Sequence, residues 1–560
     1  MRNRVIGLLC LMAMLGMSSC ERSGWSLDES KPVTMLRFRS TNTESDEEWA
    51  KTFAIIKENP GCCDEVWFST GVVIPPLEWH QEQADRMAKA KEQLKGIGVE
   101  SSLQFQMTLG HGDEFANGRE PLFSEKRWTG FTGSTGVEDQ YCNCPRQTAF
   151  LEYVRQVTHI YASALHPRYM WIDDDLRCDN HRPATNGSLF GCWCETCIAA
   201  FNAEQGTEWT RETLAEALPN DGPLSAQWRS FSIRSIVEVA RVIAEETHKV
   251  SPETKMGYQY FCHDYEMEQA QVVLATMHEA TGNPVGYRAA GGAYYDLNGT
   301  ADQVIVAMNC ARCIKLMGNP DYVDLWCPEV ETWPRVYGSR TPQSMLVQGF
   351  ASLAYGMNAV SMFIMAADKE DYALYSHSLL KPLAAGAPFL RGYAEANKGT
   401  VPVGYEYETA VPDHSLYDFG RSGIPVLPGM GKSLGKLSNR DLSRYSFTNQ
   451  VSTYIQTLRE EINDRCPSPA VCCAPFVGLV IPRVSEENGA LKTVGLMNVR
   501  IDSQYAVRLR LDGLSKEVKT ATWYEMKKKP VRLPIQWEGD IAYVEVSEIA
   551  ACNVGYVRFE

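Results

Sequence analysis

Two stretches of the chain carry carboxylates at spacings that suit acid–base or nucleophilic chemistry. Trp171-Ile172-Asp173-Asp174-Asp175 closes one β-branched and aromatic run, and Cys327-Pro328-Glu329-Val330-Glu331-Thr332-Trp333-Pro334 closes another. Shortly after the first comes Cys192-Trp193-Cys194-Glu195-Thr196-Cys197, a C-x-C-x-x-C cluster. Cleaving a glycosidic bond needs one carboxyl to protonate the leaving oxygen and a second to attack the anomeric carbon or activate water. Thiolates at such spacing suit a metal in a closed tetrahedral shell. Acidic runs also solvate loops or cap helices, so their place in the fold decides between the readings.

From residue 33 to about 395, short β-branched runs alternate with longer stretches of helical period, as in βα units on a parallel sheet. Eight runs read as strands: 34–40, 65–70, 101–109, 169–174, 255–261, 284–288, 323–329 and 359–365. Helices are expected between them, at 47–58, 82–96, 148–165, 224–250, 266–281, 301–317 and 343–356. Eight strands are the number that closes a (β/α)8 TIM barrel, although a doubly wound sheet alternates in the same way. In a barrel the catalytic groups sit at the C-terminal strand ends. The two acidic runs then end strands four and seven and face each other across the mouth.

The barrel is expected over 21–398, with substrate-binding elaborations at 110–143 and 178–191. A linker or reduced middle domain follows at 399–470, where Pro and Gly become frequent, and a C-terminal β-sandwich at 471–560. Trp333 and Tyr287, beside the ends of strands seven and six, are candidate flat platforms for a sugar ring. Arg177 and His181 are candidate hydroxyl-binding groups. Strand alternation gives Glu329 and Glu331 one parity, and puts Asp173 and Asp175 on one face with Asp174 on the other. Clustered carboxylates push one another's pKa values up, as a general acid needs.

Ile172-Asp173-Asp174-Asp175, followed by Cys192, Cys194, Cys197 and Phe201, resembles the fourth-strand end and cysteine loop of glycoside hydrolase family 42. That family and its relatives in the retaining (β/α)8 clan end this strand in W-x-I-D-N-E. Cys144-Pro145 resembles the family's CPN-type segment, and Glu331-Thr332-Trp333-Pro334 resembles the E-x-x-P context of its nucleophile. Gln348 to Phe363 resembles the helix and Gly turn leading to strand eight. The resemblance runs in patches from about 140 to 365 and fades in the first three strands and the last 160 residues.

It implies an exo-acting retaining β-glycosidase of β-galactosidase type, acting on a carbohydrate substrate, with Glu331 as nucleophile and Asp175 as general acid/base. Asp174 is the fallback acid/base or a sugar-hydroxyl acceptor, Glu329 the fallback nucleophile, and Asp173 a substrate contact. The family's Asn-Glu pair is replaced here by Asp174-Asp175, one methylene shorter at the acid. The carboxyl separation could therefore drift from the ~5–5.5 Å of retaining enzymes toward the ~6.5–9.5 Å of inverting ones. Two other readings stay open: a catalytically inactive glycan-binding barrel, and a cation-dependent barrel hydrolase.

The resemblance also implies a structural Zn held by Cys144, Cys192, Cys194 and Cys197, with Cys142 and Cys178 as rival fourth ligands. A disulfide or unliganded thiols are the alternatives. No organic cofactor is expected. Members of the family often form trimers through a middle domain, but residues 400–470 are short and divergent here, so a homo-oligomer and a monomer both stay open.

Arg2 and Arg4, an apolar run from Val5 to Met17, and Ser18-Ser19-Cys20 form a secretion signal that resembles a bacterial lipobox. The run falls short of the roughly 20 residues that span a bilayer. Cys20 is thus expected to be the lipidated first residue of an exported lipoprotein, in the periplasm or at the cell surface. A net charge of −15 argues against nucleic acid as a partner. Gly429-Met430-Gly431-Lys432-Ser433 lacks the first Gly of a phosphate-binding loop, and His278-Glu279 has no second His at metalloprotease spacing.

Overall fold

The computed structural model describes residues 33–71, 74–106, 108–110, 128–178, 190–261, 267–291, 293–296, 299–332, 339–365, 372–407, 413–438, 440–441 and 452–560. Its first strands are β1 (Thr34–Phe38), β2 (Glu65–Ser69) and β3 (Glu100–Phe105). A hairpin follows, β4 (Gly130–Thr132) and β5 (Glu138–Asn143), inside the segment expected to elaborate the third strand's loop. Then come β6 (Tyr169–Ile172), β7 (Lys255–Phe261), β8 (Val285–Ala290), β9 (Val323–Glu331) and β10 (Val360–Met365). All of these except the hairpin close a parallel barrel in the order β1-β2-β3-β6-β7-β8-β9-β10. The eight barrel strands are those expected from sequence.

Inward positions alternate along each strand. Met35, Trp67, Tyr169, Trp171, Leu325, Cys327 and Ala359 fill the barrel as a buried cluster of their own. Trp171 stacks on Trp67 with ring centroids 4.2 Å apart and lies against Tyr169 at 5.3 Å. Two glycines on the next strands make room for it. A Cβ at Gly257 would stand 2.3 Å from its Cε3, and one at Gly286 would stand 2.6 Å from its Cη2. The mouth therefore has an indole floor.

Helices cover the barrel wall with conventional caps. Ser45 accepts from the Glu48 amide at the start of Asp46–Glu58, where Asp46, Glu47 and Glu48 complement the helix dipole. Thr341 caps Pro342–Ala354 in the same way through Ser344 N.

The remaining strands are β11 (Thr400–Tyr407), β12 (Lys432–Leu437), β13 (Val471–Cys472), β14 (Gly478–Ser485), β15 (Leu491–Asn498), β16 (Gln504–Leu511), β17 (Ala521–Glu525), β18 (Val531–Leu533), β19 (Gln536–Glu538), β20 (Ile541–Ile549) and β21 (Val554–Phe559). A seven-stranded sheet, β12-β11-β14-β15-β21-β17-β18, and a four-stranded one, β13-β16-β20-β19, share a core that includes Val403, Val480, Trp523 and Val544. The segment 399–470 thus supplies β11 and β12 to the larger sheet. Buried Arg483 on β14 ties this domain to the barrel, donating to the Leu353 and Ala354 carbonyls at 3.2 and 2.7 Å. Among the described residues no helix is long and apolar enough to cross a membrane. Cys20 and the expected signal lie outside the described residues.

Candidate active site

Directly above the indole floor the barrel turns polar. Arg37 on β1 donates Nε to Gln104 Oε1 on β3 at 2.9 Å, and Arg288 on β8 donates Nε to Gln259 Oε1 on β7 at 3.0 Å. Each amide fixes one guanidinium plane. Arg288 Nη1 then meets Glu329 Oε1 at 2.6 Å, and Arg37 Nη1 meets the same oxygen at 3.4 Å. Asp173, one residue past β6, lies 3.5 Å from Arg288 Nη2 and 3.9 Å from Arg37 Nη2. Arg37 also packs over the Phe363 ring, 4.7 Å from its centroid. Burial opposes the Arg288 charge, but Glu329, Asp174, Asp173 and Glu331 outweigh it and hold its pKa above the ordinary value. Charges buried this deeply persist because they are paired.

Glu331, the last residue of β9, stands one inward step beyond Glu329, with its Oε2 3.9 Å from Arg37 Nη1. Tyr294, on the segment after β8, feels both. Glu329 first, then burial, Glu331 and Asp174 raise its phenol well above the usual tyrosine value. The phenol stays protonated and remains a hydrogen-bond donor beside the carboxylates.

The three aspartates separate in space. Asp173 belongs to the buried charged layer. Asp174 keeps part of its side chain in solvent, 18% exposed, with its Oδ2 3.5 Å from Nη1 of buried Arg177. Asp175 is fully buried. Its Oδ2 accepts from the Thr108 amide at 2.9 Å and the Gly110 amide at 2.7 Å, and its Oδ1 accepts from the Thr108 hydroxyl. The chain leaves strand geometry after Ile172, so strand parity no longer governs where these side chains go.

Arg177 thus sits under Asp174 and not on a surface loop. Tyr287 is fully buried on the wall side of β8, edge-on to Trp326 at 5.7 Å, because the neighbouring Arg288 takes the inward position. That placement keeps it out of the mouth and corrects its assignment as a substrate contact. Trp333 and His181 lie outside the described residues. Arg37, Gln104, Gln259 and Arg288 belong to none of the carboxylate, cysteine or aromatic motifs read from the sequence. The usable signal was an arginine at an inward position of an otherwise apolar strand, as in Thr34-Met35-Leu36-Arg37-Phe38 and Val285-Gly286-Tyr287-Arg288.

Cys144, Cys192, Cys194 and Cys197 form a separate buried cluster whose Sγ atoms all lie within 4.8 Å of one another. Cys144 Sγ is 3.5 Å from the Sγ atoms of both Cys194 and Cys197. A tetrahedral zinc with bonds of about 2.3 Å separates its sulfurs by roughly 3.8 Å, so the residues fit such an ion. Hydrogen bonds among the thiols pull the Cys194 pKa down, while burial raises Cys192 and hydrogen bonds to the other thiols raise Cys197. Four thiolates leave no open position, so an ion here would hold structure and not activate water.

No protein-family model and no curated protein sequence matches the chain. Solved structures match in shape over nearly the whole length. An α-L-fucosidase isoenzyme 2 from Paenibacillus thiaminolyticus has a TM-score of 0.60 at 9% identity, covering 95% of this chain and 100% of its own. A β-galactosidase from Bacillus circulans sp. alkalophilus has a TM-score of 0.59 at 11% identity over 95% and 99%. A catalytic mutant of a GH42 β-galactosidase from G. stearothermophilus has a TM-score of 0.55 at 11% identity over 94% and 98%. In fold, the chain is a closed (β/α)8 barrel followed by a β-rich domain, the overall shape it shares with these glycosidase structures.

Proposed function

We propose that the protein is a glycoside hydrolase of oligosaccharides, with Glu331 as nucleophile and Asp174 as general acid/base. The observation that carries this reading is the sorting of the carboxylates. Glu329 meets a buried guanidinium at 2.6 Å and Asp175 is held by the 108–110 segment, while Asp174 keeps part of its side chain in solvent and Glu331 ends its strand one inward step beyond Glu329. One carboxylate on strand seven and one beyond strand four are the pair that glycosidic hydrolysis requires.

In the proposed cycle the Glu331 carboxylate attacks the anomeric carbon as Asp174 gives its proton to the departing glycosidic oxygen. Asp174 then takes a proton from the water that cleaves the glycosyl–Glu331 ester. Arg37 and the Tyr294 hydroxyl stabilise the Glu331 carboxylate between turnovers. The neighbouring structures favour a β-galactosidase or an α-L-fucosidase specificity, and the clan resemblance favours exo-action and retention.

A panel of aryl glycosides tests the assignment. Asp174→Asn should slow substrates with poor leaving groups by about 10²–10⁴-fold. Dinitrophenyl glycosides should be slowed far less, with azide restoring turnover. An unchanged Asp174→Asn would refute the acid/base role.

A second reading, an inactive glycan-binding barrel, is favoured by the short aspartate where relatives carry glutamate. Saturable sugar binding without turnover across the panel would establish it. The export signal and Cys20 are proposed to tether the protein to a bacterial membrane, in the periplasm or at the cell surface. The four-cysteine cluster is proposed to hold structural zinc.

A further inference from the structure

The cysteine cluster and the strand-four carboxylates are joined by a short, buried run of hydrogen bonds. Cys144 follows Asn143, whose backbone N and side-chain Nδ2 both donate to the Leu109 carbonyl, at 2.6 and 2.9 Å. Asn143 Oδ1 is itself held by Trp128 Nε1 at 2.7 Å. The residue after Leu109 is Gly110, whose amide reaches Asp175 Oδ2 at 2.7 Å, beside the Thr108 amide on the same oxygen. Gly110 has φ +105°, and a Cβ there would stand 2.0 Å from the Tyr141 carbonyl oxygen. The 108–110 segment therefore lies hard against β5, with no slack between Asn143 and Asp175.

The far side of the cluster is tied just as closely. Trp193 N donates to the Thr132 carbonyl at 2.8 Å, and Thr132 N donates to Cys192 Sγ at 3.4 Å. The hairpin β4–β5 is thus pinned at one end to the cluster and at the other to the segment that holds Asp175.

We infer that Asp175 is a positioning residue that couples the four-cysteine site to Asp174. An ion closing the four thiols fixes Cys144, which fixes Asn143 and the 108–110 segment. That segment fixes Asp175, and with it the backbone that presents Asp174. The inference rests on the role proposed above for Asp174, but the coupling itself does not depend on turnover. Coupling between sites is reciprocal, so loosening the carboxylate end must loosen the metal end.

The test loads full-length wild type, Asp175→Ala and Asn143→Ala with zinc and follows its release to a chromophoric chelator, with circular dichroism confirming that each is folded. Outer-shell partners of a metal site are worth about 10–100-fold in affinity, so release from both variants should speed up by about 10-fold or more. On an active glycoside, kcat should fall by a similar factor while KM stays within about 2-fold, and azide should not rescue Asp175→Ala. A folded Asp175→Ala protein that releases zinc at the wild-type rate overturns the coupling, as does a wild type that takes up no zinc. Azide rescue of Asp175→Ala would make Asp175 the acid/base and overturn it too. If no glycoside is turned over, the release rates still decide the coupling, and only the hydrolase reading fails.

Discussion

Glu329 and Arg288 meet at 2.6 Å one inward step below Glu331, and Arg37 closes on the same carboxylate oxygen from β1, two strands away. Under the proposed mechanism that contact gives Glu329 a structural role and leaves the chemical one to Glu331, whose contact with Arg37 is longer at 3.9 Å.

Glu329→Gln removes the nearest shared counter-charge of two buried guanidiniums and leaves them the longer contacts to Asp173 and Glu331. Breaking a buried pair from one side costs about 3–5 kcal/mol. Urea unfolding of Glu329→Gln should show a loss of this size, with activity falling alongside stability. Glu331→Gln should unfold close to wild type while turnover is abolished. Equal and small stability changes in the two variants would remove the distinction.

Gly257→Ala places a methyl group 2.3 Å from the Trp171 ring. Overpacking of this kind costs about 1–3 kcal/mol. Thermal unfolding should register that loss, and Gly257→Ala/Trp171→Leu should recover most of it. A wild-type melting temperature for Gly257→Ala would mean that the indole floor is not packed as described.

Glu65 lies at the opposite end of the barrel, accepting from Trp67 Nε1 at 2.8 Å and Ser102 Oγ at 2.6 Å. Burial is the main cause that pushes its pKa up from 4.5 to about 7. The folded state thus holds a proton that the unfolded chain has released between those two values. Stability should fall as pH rises from about 4.5 to about 7 and then level off, by about 3 kcal/mol in all. Glu65→Gln keeps an acceptor for both donors and should flatten that slope, as measured by urea midpoints across the window. A slope unchanged in Glu65→Gln would place the titration elsewhere.

The barrel was legible because each strand is a short β-branched run bounded by turn residues, and the helices between them carry a clear apolar period. The hairpin β4–β5 was not, since its strands are brief and sit in a Gly-rich stretch without alternation. β11 and β12 were hidden for a related reason. Thr400–Tyr407 is held as a strand by its pairings with β12 and β14, the latter some 80 residues away in sequence.

Cys192, Cys194 and Cys197 could be picked out by type and spacing, and the family resemblance supplied Cys144. The Asp triplet could not be resolved, because parity ends with β6 at Ile172 and the partner that claims Asp175 lies on the loop after strand three. Arg37 and Arg288 escaped notice because a charge inside a barrel strand makes sense only once its carboxylate from another strand is seen.

In the proposed mechanism Glu331 attacks the sugar. Wild-type protein incubated with 2-deoxy-2-fluoro glycosides of activated leaving groups, drawn from the sugars the panel identifies, should gain the mass of one glycosyl group. Peptide mapping should place that group on Glu331, and Glu331→Gln should gain none. Labelling at Glu329, or turnover of the parent glycoside by Glu331→Gln at the wild-type rate, would show that Glu331 is not the nucleophile.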